Sequence, residues 1–250
     1  MNSTGVRSAL LLALDTSQSG CSAALFGPEG LIDQSYQPTE RNQAEILMPL
    51  CLGLLEQANL HAQDLGALAV SRGPGSFTGI RAGLATAQGW GLAAGIPAYG
   101  LDCFLSYAYA AQTGPDQVLP STLFVLIESK REDFYAQKFV RKSEPGAVFR
   151  RTGEPFLIQT HDLLNLTRNQ GGDLGLFGNA CHRLRNEQPD LSPFIYPGEN
   201  AHNMAACLGR AVRDHFCGHK LLKSMDPDNP EIFSLHPLYI RPPDVSISIA

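Results

Sequence analysis

Two short stretches of this chain carry residue types that bind phosphate groups in proteins. The first is Asp15-Thr16-Ser17, a carboxylate and two hydroxyls directly after an apolar run, which suits a phosphate or Mg²⁺. The second is a glycine-rich loop from Gly73 to Gly79 that precedes a predicted helix, and the free amides at a helix start attract anions. Polar turns and glycine loops also form without a ligand. For Asp15 to Ser17 we therefore favour a structural turn over a vestigial nucleotide loop.

Neither stretch matches a known catalytic motif. The glycine loop lacks the lysine of a Walker loop, and Pro74 stands where a nucleophile elbow around Ser76 would have its first glycine. His215 and His219 are four apart, a spacing that places two imidazoles on one helix face for a metal, but no further ligand accompanies them and a solvated helix end is favoured. The remaining histidines are isolated in the sequence, so their spacing defines no Ser/His/Asp set. The charged run from Lys130 to Asp133 is interpreted as a solvated turn.

Small residues recur along the helix predicted after the glycine loop. Every fourth position is small, namely Gly75, Gly79, Gly83, Ala87, Gly91 and Gly95. Residues four apart share one helix face, and each glycine inside a helix costs about 1 kcal/mol relative to alanine. Another backbone must therefore pack closely on this face, and it belongs either to the same chain or to a partner. Arg81 and Gln88 interrupt the stretch, which argues against a membrane span.

Composition limits the class of protein further. The 250 residues, 44% of them hydrophobic, suffice for one large domain or two lobes. A net charge of -5 argues against a broad basic surface that holds nucleic acid, so most RNA contacts would come from a partner. The six cysteines form no C-x-x-C pair, which favours reduced thiols in a cytosolic protein. Asp15 ends the apolar run 8–14 early, which favours a buried strand over a signal peptide.

Hydrophobic periodicity predicts the elements that position these residues. Alternating and continuous apolar runs predict strands at 8–14, 21–26, 31–36, 65–70 and 98–101. One helix is predicted at 42–59, and Pro49 either starts or kinks this helix. A second helix is predicted from the glycine loop to Pro97. This order matches a ribonuclease-H-like lobe, in which parallel strands extend an antiparallel meander.

The second half of the chain repeats this pattern in weaker form. Strands are predicted at 121–127, 134–140, 147–151 and 174–177, and a helix start at 161–166. A helix at about 204–216 follows, and the tail from Pro237 to Ala250 is predicted to be irregular with strand-like pieces. The chain is therefore expected to contain two related lobes.

Three motifs resemble those of the bacterial TsaB (YeaZ) family. They are Ala13-Leu14-Asp15-Thr16-Ser17, the run from Ser71 to Arg81 with Ala87-Gln88-Gly89, and Pro237-Leu238-Tyr239-Ile240-Arg241. The resemblance implies an α/β, two-lobed actin/Hsp70-like (ASKHA) fold with duplicated ribonuclease-H-like lobes. A lobe at 1–102 would carry the dimerisation helices, and a smaller lobe at 103–250 would include the helix at about 204–216, packed back on the first lobe.

The resemblance also implies a function. Members of this family are cytoplasmic, non-catalytic subunits in the synthesis of N6-threonylcarbamoyladenosine at position 37 of tRNAs that read codons beginning with A. They pair with a catalytic paralogue, TsaD, on which the ATPase TsaE docks, and they reach tRNA only through that complex. No cofactor is expected apart from ATP or ADP between subunits. TsaD binds its metal through an H-x-x-x-H motif, whereas Gly100 to Ser106 contains no histidine here, so metal-assisted transfer is not expected.

The family's contact is a helical bundle from the first two helices of each subunit. Those helices correspond to Ala44 to Ala58 and Phe77 to Ala94, so the resemblance gives the glycine face a partner, and a homodimer is expected when the chain is alone. The residues expected at this contact are Gln43, Glu45, Leu47, Met48, Leu50, Cys51, Leu54, Leu55, Arg72, Phe77, Thr78, Gly79, Ile80, Arg81, Gly83, Leu84, Ala87 and Gly91.

Two positions depart from the family pattern, and two other functions compete. Gln43 stands where relatives often carry histidine, and Glu128-Ser129-Lys130 stands where they often have Asp-Ala-Arg. One rival is an ATP-using enzyme of the same fold with Asp15, Thr16 and Ser17 on the phosphates. A glycoprotease ranks last, because neither a metal site nor a nucleophile set is visible in the sequence.

Overall fold

A computed structural model describes residues 10–39, 41–114, 119–142, 144, 146–170, 173–195 and 203–241. Parts of two sequence predictions lie outside these residues: the strand start at Ser8 and Ala9, and the tail beyond Arg241. The described part of the tail, from Pro237 to Arg241, contains no strand.

The first sheet has five strands in the order β3-β2-β1-β4-β5. Their bounds are β1 Leu11–Asp15, β2 Gly20–Gly27, β3 Gly30–Pro38, β4 Ala67–Ser71 and β5 Ala98–Leu101. β1 pairs antiparallel with β2 and parallel with β4. Every residue of β1 and β2 is buried, because helices cover both faces of this sheet.

Four helices provide that cover. On one face lie α1 Gln43–Gln57 and α2 Phe77–Ala94, whose apolar residues share a core cluster with Leu12 and Leu25. On the other face lie α3 Cys103–Thr113 and α6 Met204–Phe216, which pack with Ala13 and Phe26. The four helices therefore lie on the two faces toward which alternate residues of the buried strands point.

The second sheet repeats the first without its fifth strand. It has the order β8-β7-β6-β9, with β6 Thr122–Glu128, β7 Phe134–Val140, β8 Arg150–Ile158 and β9 Leu174–Phe177. One face is covered by α4 Thr160–Gln170 and α5 Cys181–Glu187, and the other packs against α3. A short helix, α7 Leu221–Met225, and 3-10 turns at Ala62–Asp64 and Pro189–Phe194 complete the described elements. The fold is a two-lobed ASKHA fold with a reduced second lobe.

Helix α6 packs closely on the first sheet, although it comes late in the chain. A Cβ atom added at Gly209 would lie 2.2 Å from the Phe26 ring and 2.8 Å from the Ala13 Cβ. The backbone N–H of Ala205 also donates to the Ser22 hydroxyl at 3.0 Å. One core cluster thus runs from the first sheet through α3 and α6 to the second sheet, and a domain boundary at residue 102 stays a prediction.

Several elements differ from the sequence predictions for local reasons. Helix α1 is continuous from Gln43 and passes through Pro49 without starting there. Helix α2 ends at Ala94 because Gly95 adopts a left-handed φ of 65°, whereas Pro97 was expected to end it. Strand β8 begins three residues later than predicted and extends to Ile158. None of the helices within the described residues combines the length and apolar content needed to cross a membrane.

Candidate partner surface and interlobe cleft

The Asp15-Thr16-Ser17 turn is buried inside the first lobe. Its three residues are only 1–2% exposed. The Asp15 carboxylate accepts hydrogen bonds from the Ser17 backbone at 2.9 Å, from the Ser17 hydroxyl at 2.5 Å and from the Ser71 hydroxyl. Burial raises the pKa of Asp15, and the hydrogen bonds from Ser17 and Ser71 offset part of that shift. Groups of the same chain therefore satisfy this carboxylate.

The glycine loop and the start of α2 lie directly on this turn. A Cβ atom added at Gly75 would lie 2.0 Å from the Ser17 carbonyl oxygen, and one at Gly79 would lie 1.9 Å from that of Thr16. The Thr16 hydroxyl donates to the Gly79 carbonyl at 2.6 Å, and the Ser76 N–H donates to the Ser17 carbonyl at 2.8 Å. The backbone that packs on these glycines is thus the turn of the same chain.

Two further glycines of the row are also internal, whereas Gly95 at the end of the row is exposed. A Cβ atom at Gly83 would lie 2.7 Å from the Thr16 hydroxyl, and one at Gly91 would lie 2.9 Å from the Ile96 carbonyl oxygen. The assignment of Gly79, Gly83, Ala87 and Gly91 to a partner contact was therefore wrong. Spacing identifies residues that share a face, but it does not identify the chain that packs there.

The same correction applies to more than half of the expected contact residues. These residues are buried in the chain's own core and have too little free surface to bind a second chain: Gln43, Leu47, Cys51, Leu54, Leu55, Gly79, Ile80, Gly83, Leu84, Ala87 and Gly91. The apolar period of α1 and α2 marks the face that packs on the sheet. Gln43 has a further role, since its side-chain N–H donates to the carbonyls of Gln18 at 3.1 Å and Gly20 at 3.4 Å.

The opposite sides of α1 and α2 form an exposed surface, which we call the outer helix face. Its most exposed large apolar members are Leu92, which is 87% exposed, and Leu52, which is 48% exposed. Small residues accompany them, and no atom lies within 4 Å of a Cβ added at Gly53 or Gly89. The outer helix face consists of Leu52, Gly53, Phe77, Thr78, Arg81, Ala85, Gly89 and Leu92. Of the remaining expected contact residues, Glu45 is exposed, while Met48, Leu50 and Arg72 are half-buried.

The C-terminal segment lies across the start of α2 beside this face. The Leu238 N–H donates to the Arg72 carbonyl at 2.7 Å. The Tyr239 ring lies 5.1 Å from the Phe77 ring, and the Arg81 guanidinium lies 4.4 Å from the same Phe77 ring. The motif around Tyr239 therefore lies next to the glycine motif in space, although about 160 residues separate them.

A cleft of about 700 Å³ opens between the two lobes. The Asn179 side-chain N–H donates to the Gln18 side-chain oxygen Oε1 at 2.5 Å across its floor. Gln18 in turn donates to the Ser17 hydroxyl at 3.0 Å and to the Pro74 carbonyl at 3.2 Å. This bridge separates the cleft from Asp15. The cleft walls carry Arg41 and Tyr36 on the first lobe, and Glu128, Lys130, Arg131, His182 and Arg183 on the second.

The run without histidine at the start of α3 has a structural role. Asp102 caps α3 by accepting from the Leu105 N–H at 2.9 Å, and it pairs with Arg151 at 2.7 Å. Among the described residues, no three His, Cys, Asp or Glu side chains are grouped so as to hold a metal ion. All six cysteines are unpaired, and Cys217 is the exposed one.

Sequence reasoning missed Leu52, Leu92 and the cleft as candidate functional features. A signal for Leu92 exists, because Thr78, Ala85 and Leu92 follow a seven-residue spacing that places them on one helix face. For the cleft, no local signal exists. Arg41 and Arg183 are far apart in sequence, and they line the same cleft only because the two lobes face each other.

Comparison with known proteins gives a consistent family. A family model described as TsaD: tRNA N6-adenosine threonylcarbamoyltransferase matches residues 37–214. The chain is 31% identical over 133 residues to the tRNA threonylcarbamoyladenosine biosynthesis protein TsaB of Escherichia coli K12, covering 52% of this chain and 55% of that protein. The chain thus spans about half the length of the curated relatives it matches.

Two solved structures share the fold. A Pseudomonas aeruginosa protein described as similar to the peptidase YEAZ has a TM-score of 0.66 at 22% identity, covering 93% of this chain and 99% of that one. The activator of 2-hydroxyisocaproyl-CoA dehydratase from Clostridium difficile, solved with bound ADPNP, has a TM-score of 0.52 at 8% identity, covering 84% and 96%. At these identities the likeness establishes the fold alone.

Proposed function

Since the chain belongs to the TsaD family of tRNA N6-adenosine threonylcarbamoyltransferases and to its TsaB (YeaZ) branch, we propose that it is a non-catalytic scaffold subunit. In this proposal it pairs with a TsaD paralogue and activates it in the cytoplasm. The pair recruits TsaE and transfers the threonylcarbamoyl group to adenosine 37 of tRNAs that read codons beginning with A. Any ATP or ADP lies between subunits, and the chain forms a homodimer when alone.

The observation that carries this proposal is the outer helix face. Leu92 is 87% exposed near the C-terminal end of α2, on a surface that also carries the small residues Ala85 and Gly89, and full burial of a leucine side chain contributes about 1.5–3 kcal/mol. Helices α1 and α2 cover the same face of the first sheet, so their outward sides can dock together on a second helix pair. Gly53 and Gly89 allow close approach of a partner backbone.

The proposal that the chain is non-catalytic rests on the residues at the start of α3 and on the burial of Asp15. Gly100 to Ser106 offers no histidine to a metal, and Asp102 within it is committed to capping and to Arg151. The rival ATP-using enzyme would need phosphates at Asp15, which lies under the glycine loop and is separated from the cleft by Gln18. The buried turn therefore favours the scaffold over the ATP-using enzyme.

The first experiment is light scattering of the chain alone and with TsaD from the same organism. We expect a homodimer that becomes a one-to-one heterodimer. Leu92→Glu should weaken both associations by about 100-fold, because it removes a buried leucine and introduces a carboxylate at the contact. Leu157→Glu is the matched control, since Leu157 is 40% exposed on the second lobe, and it should leave both masses unchanged.

Two results would overturn the assignment. If Leu92→Glu associated like the unmodified chain, the outer helix face would not be the contact. If the unmodified chain stayed a monomer in the presence of TsaD, the scaffold function itself would be wrong. Circular dichroism of both variants would establish that the lobes remain folded in either case.

A further inference from the structure

The interlobe cleft concentrates positive charge on an acidic chain. Arg41 lines it from the first lobe, and Lys130, Arg131 and Arg183 line it from the second. Glu128 is the one carboxylate among the described lining residues, whereas the whole chain has a net charge of -5. A cleft lined by one sign of charge focuses the electric field and concentrates counter-ions. The cleft is therefore suited to an anion.

Arg183 is held in a fixed position inside this cleft. Its Nη1 donates to the Arg131 carbonyl at 2.9 Å and pairs with Glu128 at 3.1 Å. The guanidinium lies 4.0 Å from the centre of the Phe134 ring. Its Nη2 is buried and has no hydrogen-bond partner among the described residues. Its Nε also lies 3.8 Å from the Glu187 carboxylate. Arg183 is therefore a fixed guanidinium that is already paired with carboxylates, and the excess positive charge of the cleft comes from its other cations.

Two further cations of the cleft are uncommitted. Neither Arg41 nor Lys130 forms an ion pair with another described residue. They lie on opposite walls, so a bound anion would bridge the two lobes. Like charges across a gap repel each other. A bound anion would therefore offset the repulsion between Arg41 and Lys130 and would also be attracted to both side chains.

The lining does not suit a free nucleotide. Small-molecule sites are mostly apolar, but this cleft is lined by charged and polar side chains, with Tyr36 as its aromatic member and no aliphatic residue among those described. The Gln18–Asn179 bridge also closes its floor. The cleft offers contacts to phosphates without a pocket for a base, which is typical of sites that bind a nucleic-acid backbone.

We propose that the interlobe cleft binds backbone phosphates of the tRNA while the partner subunit acts on the base. This inference rests on the proposed function. Arg41 lies two residues before α1, and α1 also contributes Leu52 and Gly53 to the outer helix face.

The test compares two double variants with the same change in charge. Arg41→Glu with Lys130→Glu reverses one cation on each wall of the cleft. Lys142→Glu with Lys220→Glu is the control, because both lysines are exposed and neither lines the cleft. Binding of a labelled, full-length tRNA transcript is measured by fluorescence anisotropy over a range of salt concentrations, for the complex with TsaD and for the chain alone.

We expect the cleft variant to bind the transcript about tenfold or more weakly, with the slope of log K against log salt reduced by about 2. In threonylcarbamoyl transfer, KM for tRNA should rise while kcat stays unchanged. The control should bind within about twofold of the unmodified complex. Equal losses in the two variants would overturn the cleft assignment, because they would reflect net charge alone.

Titration with small anions distinguishes a cleft that binds RNA phosphates from one that binds a small phosphate compound. Sodium tripolyphosphate and ATP are titrated into the chain alone. Saturable binding of either one, lost in the cleft variant while tRNA binding is retained, would overturn the RNA assignment in favour of a small anion. If TsaD binds the chain but the cleft variant binds tRNA normally, this inference alone fails. If TsaD does not bind, the proposed function fails, and the anisotropy of the chain alone still decides whether the cleft binds RNA.

Discussion

At the residue scale, two glycines of one helix illustrate how the same residue type meets opposite requirements. Gly79 faces inward, where an added Cβ atom would lie 1.9 Å from the Thr16 carbonyl oxygen and 2.7 Å from the Gln43 side chain. Gly89 faces outward, with no atom within 4 Å of an added Cβ. Close backbone contact thus requires the first glycine, whereas packing within the chain does not require the second.

This difference predicts opposite effects of alanine at the two positions. Gly79→Ala should destabilise the chain by about 3 kcal/mol, because the turn at Thr16 must move to admit the methyl group. Gly89→Ala should stabilise it by about 1 kcal/mol through helix propensity. Urea unfolding in the Leu92→Glu background measures both effects without a contribution from pairing. An unchanged midpoint for Gly79→Ala would contradict the close packing described here.

At the element scale, the sequence predicted the strands and most helices because their patterns are local. Strands β5, β7 and β9 and helix α6 have the predicted bounds. Helix α3 was missed because eight of its eleven residues are buried, which leaves no polar face and hence no helical period. Strand β8 was misplaced because it is largely exposed and contains Gly153 and Pro155, so its apolar signal is weak.

The candidate site was predictable only in outline. The inner faces of α1 and α2 were assigned to the partner, because an apolar stripe in a sequence does not reveal what covers it. The seven-residue spacing of Thr78, Ala85 and Leu92 was the sequence pattern that indicated the outer helix face. The cleft could not be predicted, since its cations come from three separate segments around Arg41, Lys130 and Arg183, and only the docking of two lobes brings them together.

The C-terminal segment provides a prediction for an element that has no regular structure. Tyr239→Ala removes the ring contact with Phe77, which should cost about 1 kcal/mol of local stability. The Leu238 amide, which donates to Arg72, should then exchange its hydrogen about fivefold faster. Phe156→Ala, which removes an exposed ring from the second lobe, is the control. Equally faster exchange in β4 would indicate global destabilisation and contradict a local role.

At the scale of the whole molecule, buried charge holds the two lobes together. Asp102 at the start of α3 pairs with Arg151 of β8 at 2.7 Å, and Arg151 also reaches Asp226 after α7 at 3.4 Å. The Arg72 guanidinium lies 3.9 Å from the same Asp102. Together with the continuous core, this network fixes the cleft relative to the outer helix face. A tRNA bound in the cleft would therefore keep a defined position relative to the partner.

The same network gives stability a dependence on pH with a definite sign. Burial alone would raise the pKa of Asp102, but Arg151 and Arg72 outweigh it and hold the pKa below its usual value. A lowered pKa in the folded state stabilises the protein above the unfolded-state pKa of about 4, and this contribution disappears as the pH falls through the folded-state pKa. Asp102 should therefore stabilise the chain at neutral pH and lose this effect in acid.

Asp102→Asn tests this contribution, because asparagine can still cap α3 but cannot pair with Arg151 as a charge. Near pH 7 the variant should be less stable by about 3 kcal/mol, since a buried guanidinium loses its main partner. Urea unfolding at decreasing pH should show this difference shrinking once the pH is below about 4. The control is Asp162→Asn, whose exposed carboxylate should matter by less than about 1 kcal/mol at any pH. A difference that stayed constant with pH would mean that Asp102 holds the lobes through packing and not through its charge.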